Sequence, residues 1–476
     1  MRVLLLNRRA PVASTADQMK LALSLLLPCL LAEAWLVLSS APGRQSPEAQ
    51  AGLETLQTPT AQNHTREGVR ASEEEEVVEA EVVEVEEEKV QEEEEGEPRL
   101  RASGQKLSEE ISNLGFSLLR KISMRHDGNV VFSPLGLSSA MAALMLGPKG
   151  QTKAQLESAL HLRALNQTRP PHLPALFKQL RASLSRNPEL GLAQGSFAFI
   201  HKDFDVKETF LNFSRQYFDI ECVTLNFRNV SQARGLMNRY INKETWGKIP
   251  QLFVEINPDT KLILVDYVSL KGKWLAPFDP VLTETDTFHL DKYKAVKVAM
   301  MYKVGMFAST FDRNFRCHVL KLPYRGNASM LVVLTEKIGD HLALEDYLST
   351  ELVDTWLRNM KTRKTEVFFP KFKLDQKYEM HELLKQMGIR RVFSPGADLS
   401  ELSAVASNLQ VSKVLQRAII EVDEKGTEAA AGTLTEITAY SMPPIIKVDR
   451  PFHFIIYEET SGTLLFLGRV VNPTLL

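Results

Sequence analysis

Apolar positions recur every three or four residues along KLSEEISNLGFSLLRKI, PLGLSSAMAALML and QTKAQLESALHL, between Lys106 and Leu162. The same spacing returns in LPALFKQLRASLSR, from Leu173 to Arg186, where Leu176, Leu180 and Leu184 fall on one side. That period stacks side chains on a single helical face, so four amphipathic helices are predicted. A Ser, a Pro or a Gln-Thr pair stands near the start of each of the first three, where helix starts favour such residues. Farther on the texture changes to β-branched and aromatic runs, SFAFIHK, KLILVDYVSLKGKW, AVKVAMM, CHVLKL, ASMLVVLTE, EVFFPKFKL, RAIIEV, FHFIIYEE and TLLFLGRVV, which predict strands. Helices lead and strands dominate afterwards. This order argues for an α+β fold with large antiparallel or mixed sheets and against a βαβ repeat.

The first hundred residues have a different texture. After Met19-Lys20 comes LALSLLLPCLLAEAWLVLSSAPG, an apolar run ending in small residues, which predicts a secretory signal cut near Ser39 or Ser40. Residues 1–40 are therefore assigned to that signal and an N-terminal extension, and the mature chain is expected outside the cell. A membrane anchor is the weaker reading, because Pro28 and Glu33 interrupt a run that barely reaches the ~20 residues needed to span. Residues 41–104 form a tail whose block SEEEEVVEAEVVEVEEEKVQEEEEGE repels itself and is expected to stay disordered. Of 57 basic and 59 acidic residues, 10 and 20 lie in residues 1–104, leaving 47 and 39. The nearly neutral chain thus hides a body of about +8, expected as one domain over 105–476. The tail reads either as a solubiliser or as a tether that competes with polyanions for that basic surface.

Only Cys222 and Cys317 lie beyond the signal, so no disulfide framework holds the fold. One bridge or two free thiols both fit, and free thiols are preferred. Asn63, Asn166, Asn212, Asn229 and Asn327 stand in Asn-x-Ser/Thr acceptor triplets. A search for chemistry finds no G-x-S-x-G elbow, P-loop, C-x-x-C pair or dinucleotide fingerprint, and HELLK at His381 lacks the second histidine of H-E-x-x-H. No catalytic residue, metal site or intrinsic cofactor is assigned.

What stands out is EKGTEAAAGTLTEITAYSMPP, Glu424 to Pro444, where a domain would ordinarily be completing its core. As a strand it would point Thr427, Ala429, Ala431 and Thr433 one way, and Glu428, Ala430, Gly432 and Leu434 the other. Small side chains suit a segment that must enter a finished, close-packed sheet. An Ala-rich helix end followed by a loop reads the same residues equally well.

The neighbourhood separates the two. NVVFSPLGLSSAMAALMLG, KGKWLAPF, EVFFPKFKL, ADLSEL, VLQRAIIEVDEKGTEAAAG and DRPFHFIIYEETSGTLLFLGRVVNP, spread from Asn129 to Pro473, resemble the serpins, and the likeness extends over essentially the whole body from Lys106 to Leu476. The resemblance implies helices around three β-sheets and an exposed C-terminal reactive loop. It implies a suicide-substrate inhibitor, not an enzyme: a serine protease cuts the loop between Tyr440 and Ser441, and the loop enters the central sheet. Glu424, Gly426, Thr427, Glu428, Ala429, Ala430, Ala431 and Gly432 would form the hinge. Ser133, Asp266 and Gln416 would lie under the sheet, with Asp266 and Gln416 where most members place an asparagine and a histidine.

The resemblance further implies coagulation factors Xa and XIa as targets, and protein Z as a partner that brings calcium and phospholipid. Tyr440 alone argues instead for a chymotrypsin-like target with an apolar pocket. Heparin is a candidate accelerator on Arg163, Arg169, His172, Lys178 and Arg181, with Lys178 and Arg181 expected on one outward face; an ordinary solvated helix face is the alternative. No nucleic-acid partner and no membrane insertion of the chain itself is expected. A non-inhibitory hormone carrier on the same scaffold is the rival reading.

Overall fold

The computed structural model describes residues 101–163, 165, 172–405, 407–425 and 443–475. The expected signal, the acidic tail and the stretch 426–442 lie outside these residues. Among them the strands are β1 (Val130–Phe132), β2 (Leu192–His201), β3 (Ile220–Leu225), β4 (Leu262–Leu270), β5 (Glu284–His289), β6 (Ala295–Asp312) and β7 (Cys317–Tyr324). They continue with β8 (Ala328–Thr335), β9 (Lys361–Pro370), β10 (Phe372–Glu379), β11 (Val411–Val422), β12 (Ile445–Lys447), β13 (Phe452–Glu458) and β14 (Leu464–Val470). One sheet runs β10-β11-β4-β2-β3, and the other runs β1-β14-β13-β8-β7-β6-β9-β12 with β5 against β6.

Two of the three expected sheets are thus joined. The link is β6, whose 18 residues pair with β5 at one end, β9 in the middle and β7 at the other. Its far half, including Gly305 and exposed Met306, lacks the apolar run of AVKVAMM that predicted a shorter strand. EVFFPKFKL, by contrast, reads as one strand and is two. Pro370 ends β9, and the chain crosses at Lys371 to begin β10 in the other sheet. Proline cannot donate to a ladder, so a change of sheet at that point costs few hydrogen bonds.

Strand β4 is buried at all nine positions, as are β8, β13 and β14 at each of theirs. Sheets covered on both faces read as unbroken apolar runs, which is why KLILVDYVSL does not alternate. The large core fills one side of the five-stranded sheet, while a second cluster, including Phe199, Met237, Ile249, Phe253, Val265 and Leu415, fills the other. The cover over that second cluster is the helix Val230–Glu244 and the segment after it.

All four predicted helices are present, over 101–123, Pro134–Leu144, Gly150–Ala159 and His172–Ser185. The first begins ahead of the expected domain start at 105. Ser133 caps the second, its Oγ accepting from the Gly136 amide at 3.1 Å, and Pro134 opens it where no N–H is needed. Helices Glu208–Phe218, Val230–Glu244, Thr350–Asn359 and Met380–Gln386 were not legible as helices. Val230–Glu244 buries only Ala233, Met237 and Ile241, too thin an apolar stripe to stand out.

Candidate functional site

Strands β4 and β11 lie side by side and parallel, Gln416 opposite Asp266. Their outer neighbours, β2 on β4 and β10 on β11, are antiparallel. The chain leaves β11 at Val422 and returns in the other sheet at Ile445, so residues 423–444 connect the two sheets. A segment that folded straight back from the end of β11 would run antiparallel to β11 and to β4 alike. It would turn one parallel pairing, the slightly weaker kind, into two antiparallel ones. Nine residues suffice to match β4, roughly 30 Å at a strand's rise, and 426–440 holds more than that.

At the head of this seam Trp274 is buried, stacked on Tyr324 with ring centroids 4.3 Å apart, and its Nε1 donates to the Asp423 carbonyl at 2.8 Å. Lys271 reaches Glu421 at 2.6 Å and Asp423 at 3.7 Å. Glu424, the first expected hinge residue, is buried with its carboxylate 2.8 Å from Lys371. Burial is the largest single influence and pushes its pKa up, but the hydrogen bonds the carboxylate accepts, that from Lys371 foremost, together with the Lys371 charge outweigh it and hold it below the ordinary range. Trp274, Lys271 and Lys371 were not singled out as site residues. The signal available for Trp274 and Lys271 is KGKWLAPF, where a lone Trp follows two lysines. The remaining hinge positions from Gly426, together with Tyr440 and Ser441, lie outside the described residues.

Lower in the seam the three residues expected to meet do so. Gln416, fully buried, donates from Nε2 to Asp266 Oδ2 at 2.7 Å and to the Ser133 carbonyl at 2.9 Å, and its Oε1 accepts from the Ser133 amide at 2.9 Å. Ser196 Oγ donates to Asp266 Oδ1 at 3.1 Å. Burial raises the Asp266 pKa to about 6, despite the opposing hydrogen bonds from Gln416 and Ser196. Gly136 is what lets the helix approach: a Cβ there would stand 2.9 Å from the Asp266 carboxyl carbon. Over the opposite face Tyr267 Oη donates to the Glu244 carbonyl at 3.0 Å, Arg417 to that of Gln251 and Lys377 to that of Leu252, tying down the covering segment.

The heparin residues separate. Lys178 is exposed, 5.5 Å from the Tyr217 ring centroid, and Arg163 is exposed. Arg181 does not share that outward face, which corrects the expectation. It is half-buried, and its Nη1 has no partner and borders a cavity of about 100 Å³ lined also by Gln194, Asp219 and Asp266. Burial lowers its pKa, partly offset by Asp219. A long side chain on a narrow helix follows the nearest polar recess rather than helical geometry alone. Arg169 and the His172 side chain lie outside the described residues.

Asn63 and Asn166 lie outside the described residues as well. Asn212, Asn229 and Asn327 are exposed, but the Asn327 amide nitrogen donates to Glu458 at 2.6 Å and that of Asn229 to Gln232 at 3.0 Å. Cys222 and Cys317 are free thiols in different sheets, their pKa values pushed up by burial to about 11 and about 12. Among the described residues no three His, Cys, Asp or Glu side chains gather as a metal site.

Residues 109–473 match the family model described as Serpin (serine protease inhibitor). The chain is 72% identical over 458 residues to the protein Z-dependent protease inhibitor of Homo sapiens, across 96% of this chain and 100% of that one. Among solved structures, mouse protein-Z dependent protease inhibitor superposes with a TM-score of 0.75 at 71% identity, covering 79% of this chain and 99% of its own. Human thyroxine-binding globulin complexed with thyroxine superposes with a TM-score of 0.72 at 31% identity, covering 78% and 100%.

Proposed function

The chain belongs to the serpin family, and from that premise we propose that it is a secreted suicide-substrate inhibitor whose loop is cut between Tyr440 and Ser441. It is a serine protease inhibitor and not an enzyme. In the proposed reaction the protease serine attacks the Tyr440 carbonyl, and the peptide bond to Ser441 breaks. The Ser441 nitrogen takes a proton and leaves with the C-terminal strands. The freed segment then enters between β4 and β11, carrying the acyl-linked protease with it before water can release it; such loop insertion is an established instance of strand addition to a sheet. The parallel seam joined directly to this segment carries the reading.

The named relatives depend on protein Z. We extend that dependence to this chain, with factors Xa and XIa as targets and calcium and phospholipid acting through the partner. A tyrosine before the cut is a poor fit to a protease that favours arginine, so the unassisted reaction is slow and positioning by a partner supplies rate. Heparin remains a proposed accelerator through Arg163, Arg169 and Lys178. The experiment is incubation with factor Xa, with and without protein Z, calcium and anionic vesicles, followed by a denaturing gel. A covalent adduct that forms faster with the full set is expected; cleavage without any adduct would refute the trap. The carrier reading, kept in view by the likeness to the thyroxine complex, predicts no adduct under any condition.

A further inference from the structure

The helix Val230–Glu244 ends in an unusual turn. Trp246 and Gly247 both have left-handed backbone, at φ 52° and 80°. The Trp246 amide donates to the Lys243 carbonyl at 3.1 Å and the Gly247 amide to that of Asn242 at 2.9 Å. Thr245 Oγ1 donates to the Ile241 carbonyl at 2.7 Å and accepts from the Ile249 amide at 3.1 Å, so the turn is built firmly. Glycine suits this conformation, whereas a bulky indole is out of place in it. The turn nevertheless holds Trp246 89% exposed, while Trp274 and Trp356 are each 2% exposed in the core. Folding gains nothing from an indole left in water, and a large aromatic held there rigidly is suited to a partner.

The surroundings say what kind. Arg239 and Lys243, one turn apart in the last turns of the helix, share a side and are both exposed, and the chain reaches Trp246 three residues after Lys243. Arg239 makes no ion pair among the described residues, and Lys243 has only the loose, exposed contact with Glu244 at 3.5 Å. Lys248 follows, also exposed, with Nζ 3.2 Å from Ser269 Oγ. Cations behind a projecting tryptophan fit the boundary of an anionic bilayer, where the ring sits at headgroup depth and the cations meet phosphates and carboxylates. We propose that this helix end is a docking point for an anionic phospholipid surface.

Binding here is peripheral and reversible, because one aromatic and a few cations make a single weak anchor. No helix among the described residues is long and apolar enough to cross a membrane. The inference stands apart from the protease reading, since it needs neither partner nor target.

The test uses the full secreted chain alone, with phosphatidylcholine vesicles made with and without phosphatidylserine. With the signal removed, the emitting tryptophans are Trp246, Trp274 and Trp356, so a blue shift reports Trp246. The expected result is a blue shift and co-sedimentation only with phosphatidylserine, weakened by salt. Trp246→Ala should reduce vesicle affinity about tenfold, and Arg239→Ala with Lys243→Ala by about tenfold or more. Trp246→Phe should keep most of it, and far-UV circular dichroism and the denaturant midpoint should match the parent's in all three as a check on folding. Unchanged affinity of Trp246→Ala, equal binding to pure phosphatidylcholine, or loss of heparin retention with no vesicle binding would overturn the proposal.

Discussion

The side chain with the most to say about how this molecule behaves is Asp266. It is buried where Gln416 and Ser196 donate to it, and its pKa is raised to about 6. An ordinary aspartate, at about 3.9, describes the unfolded chain. Between those values the folded state holds the extra proton, so the stability that protonation supplies is complete below about pH 4 and is lost as pH rises through 6. At neutral pH the ionised carboxylate therefore weakens the closed seam. Asp266→Asn should stabilise the protein at neutral pH by on the order of 2 kcal/mol, with the gain shrinking toward pH 4. Denaturant melts at both pH values would check this; a gain that did not depend on pH would rule out ionisation as its cause. A tighter seam should also slow loop entry, so the variant should partition further toward plain cleavage.

At the scale of elements, the decisive relation is between β11, the segment that follows it and the seam it is proposed to enter. Strand β4 is buried on both faces, with the main core on one side and the second apolar cluster under 245–256 on the other. A strand placed beside it has no solvent face at this level, whichever way Thr427 points. Thr427→Arg would bring a charge into that space at a cost of several kcal/mol. The variant should still be bound and cut at Tyr440 but should yield little covalent adduct on a denaturing gel. An adduct as abundant as the parent's would mean that the segment does not enter here. The cover itself must shift during entry, because Arg417 and Lys377 tie Gln251 and Leu252 across the same strands.

For the whole molecule the proposed trap predicts metastability. The intact chain keeps a parallel β4–β11 pairing, and the connecting segment is tied at both ends, to β11 and to Ile445 in the other sheet. One cut within 426–440 removes that restraint, and the gain of two antiparallel ladders and a filled seam amounts to several kcal/mol or more. Nicking the loop with a nonspecific peptidase should therefore raise the melting temperature by about 10 °C or more. A nicked form that melted at the parent's temperature would leave no driving force for trapping. The same scale explains the absence of a disulfide framework: a core this large, with both thiols free in different sheets, does not need one.

Periodicity determined the four early helices and most of the long strands, because these bury a broad face or both faces, and burial is what residue type records. The family phrases located Asp266 and Gln416, which bond at 2.7 Å, whereas the small residues from Gly426 to Gly432 lie outside the described residues. Tertiary structure alone decided where strands change sheet, as at Pro370 and Lys371, and how β6 joins two sheets, since pairing is a relation between distant segments. It also decided that Arg181 turns from solvent toward a recess and that Trp274 grips Asp423. It decided that Trp246 stands in water while Trp274 and Trp356 fill the core. Each of these depends on which surfaces the fold brings together, and a linear pattern records the tendency to be buried but not the neighbour.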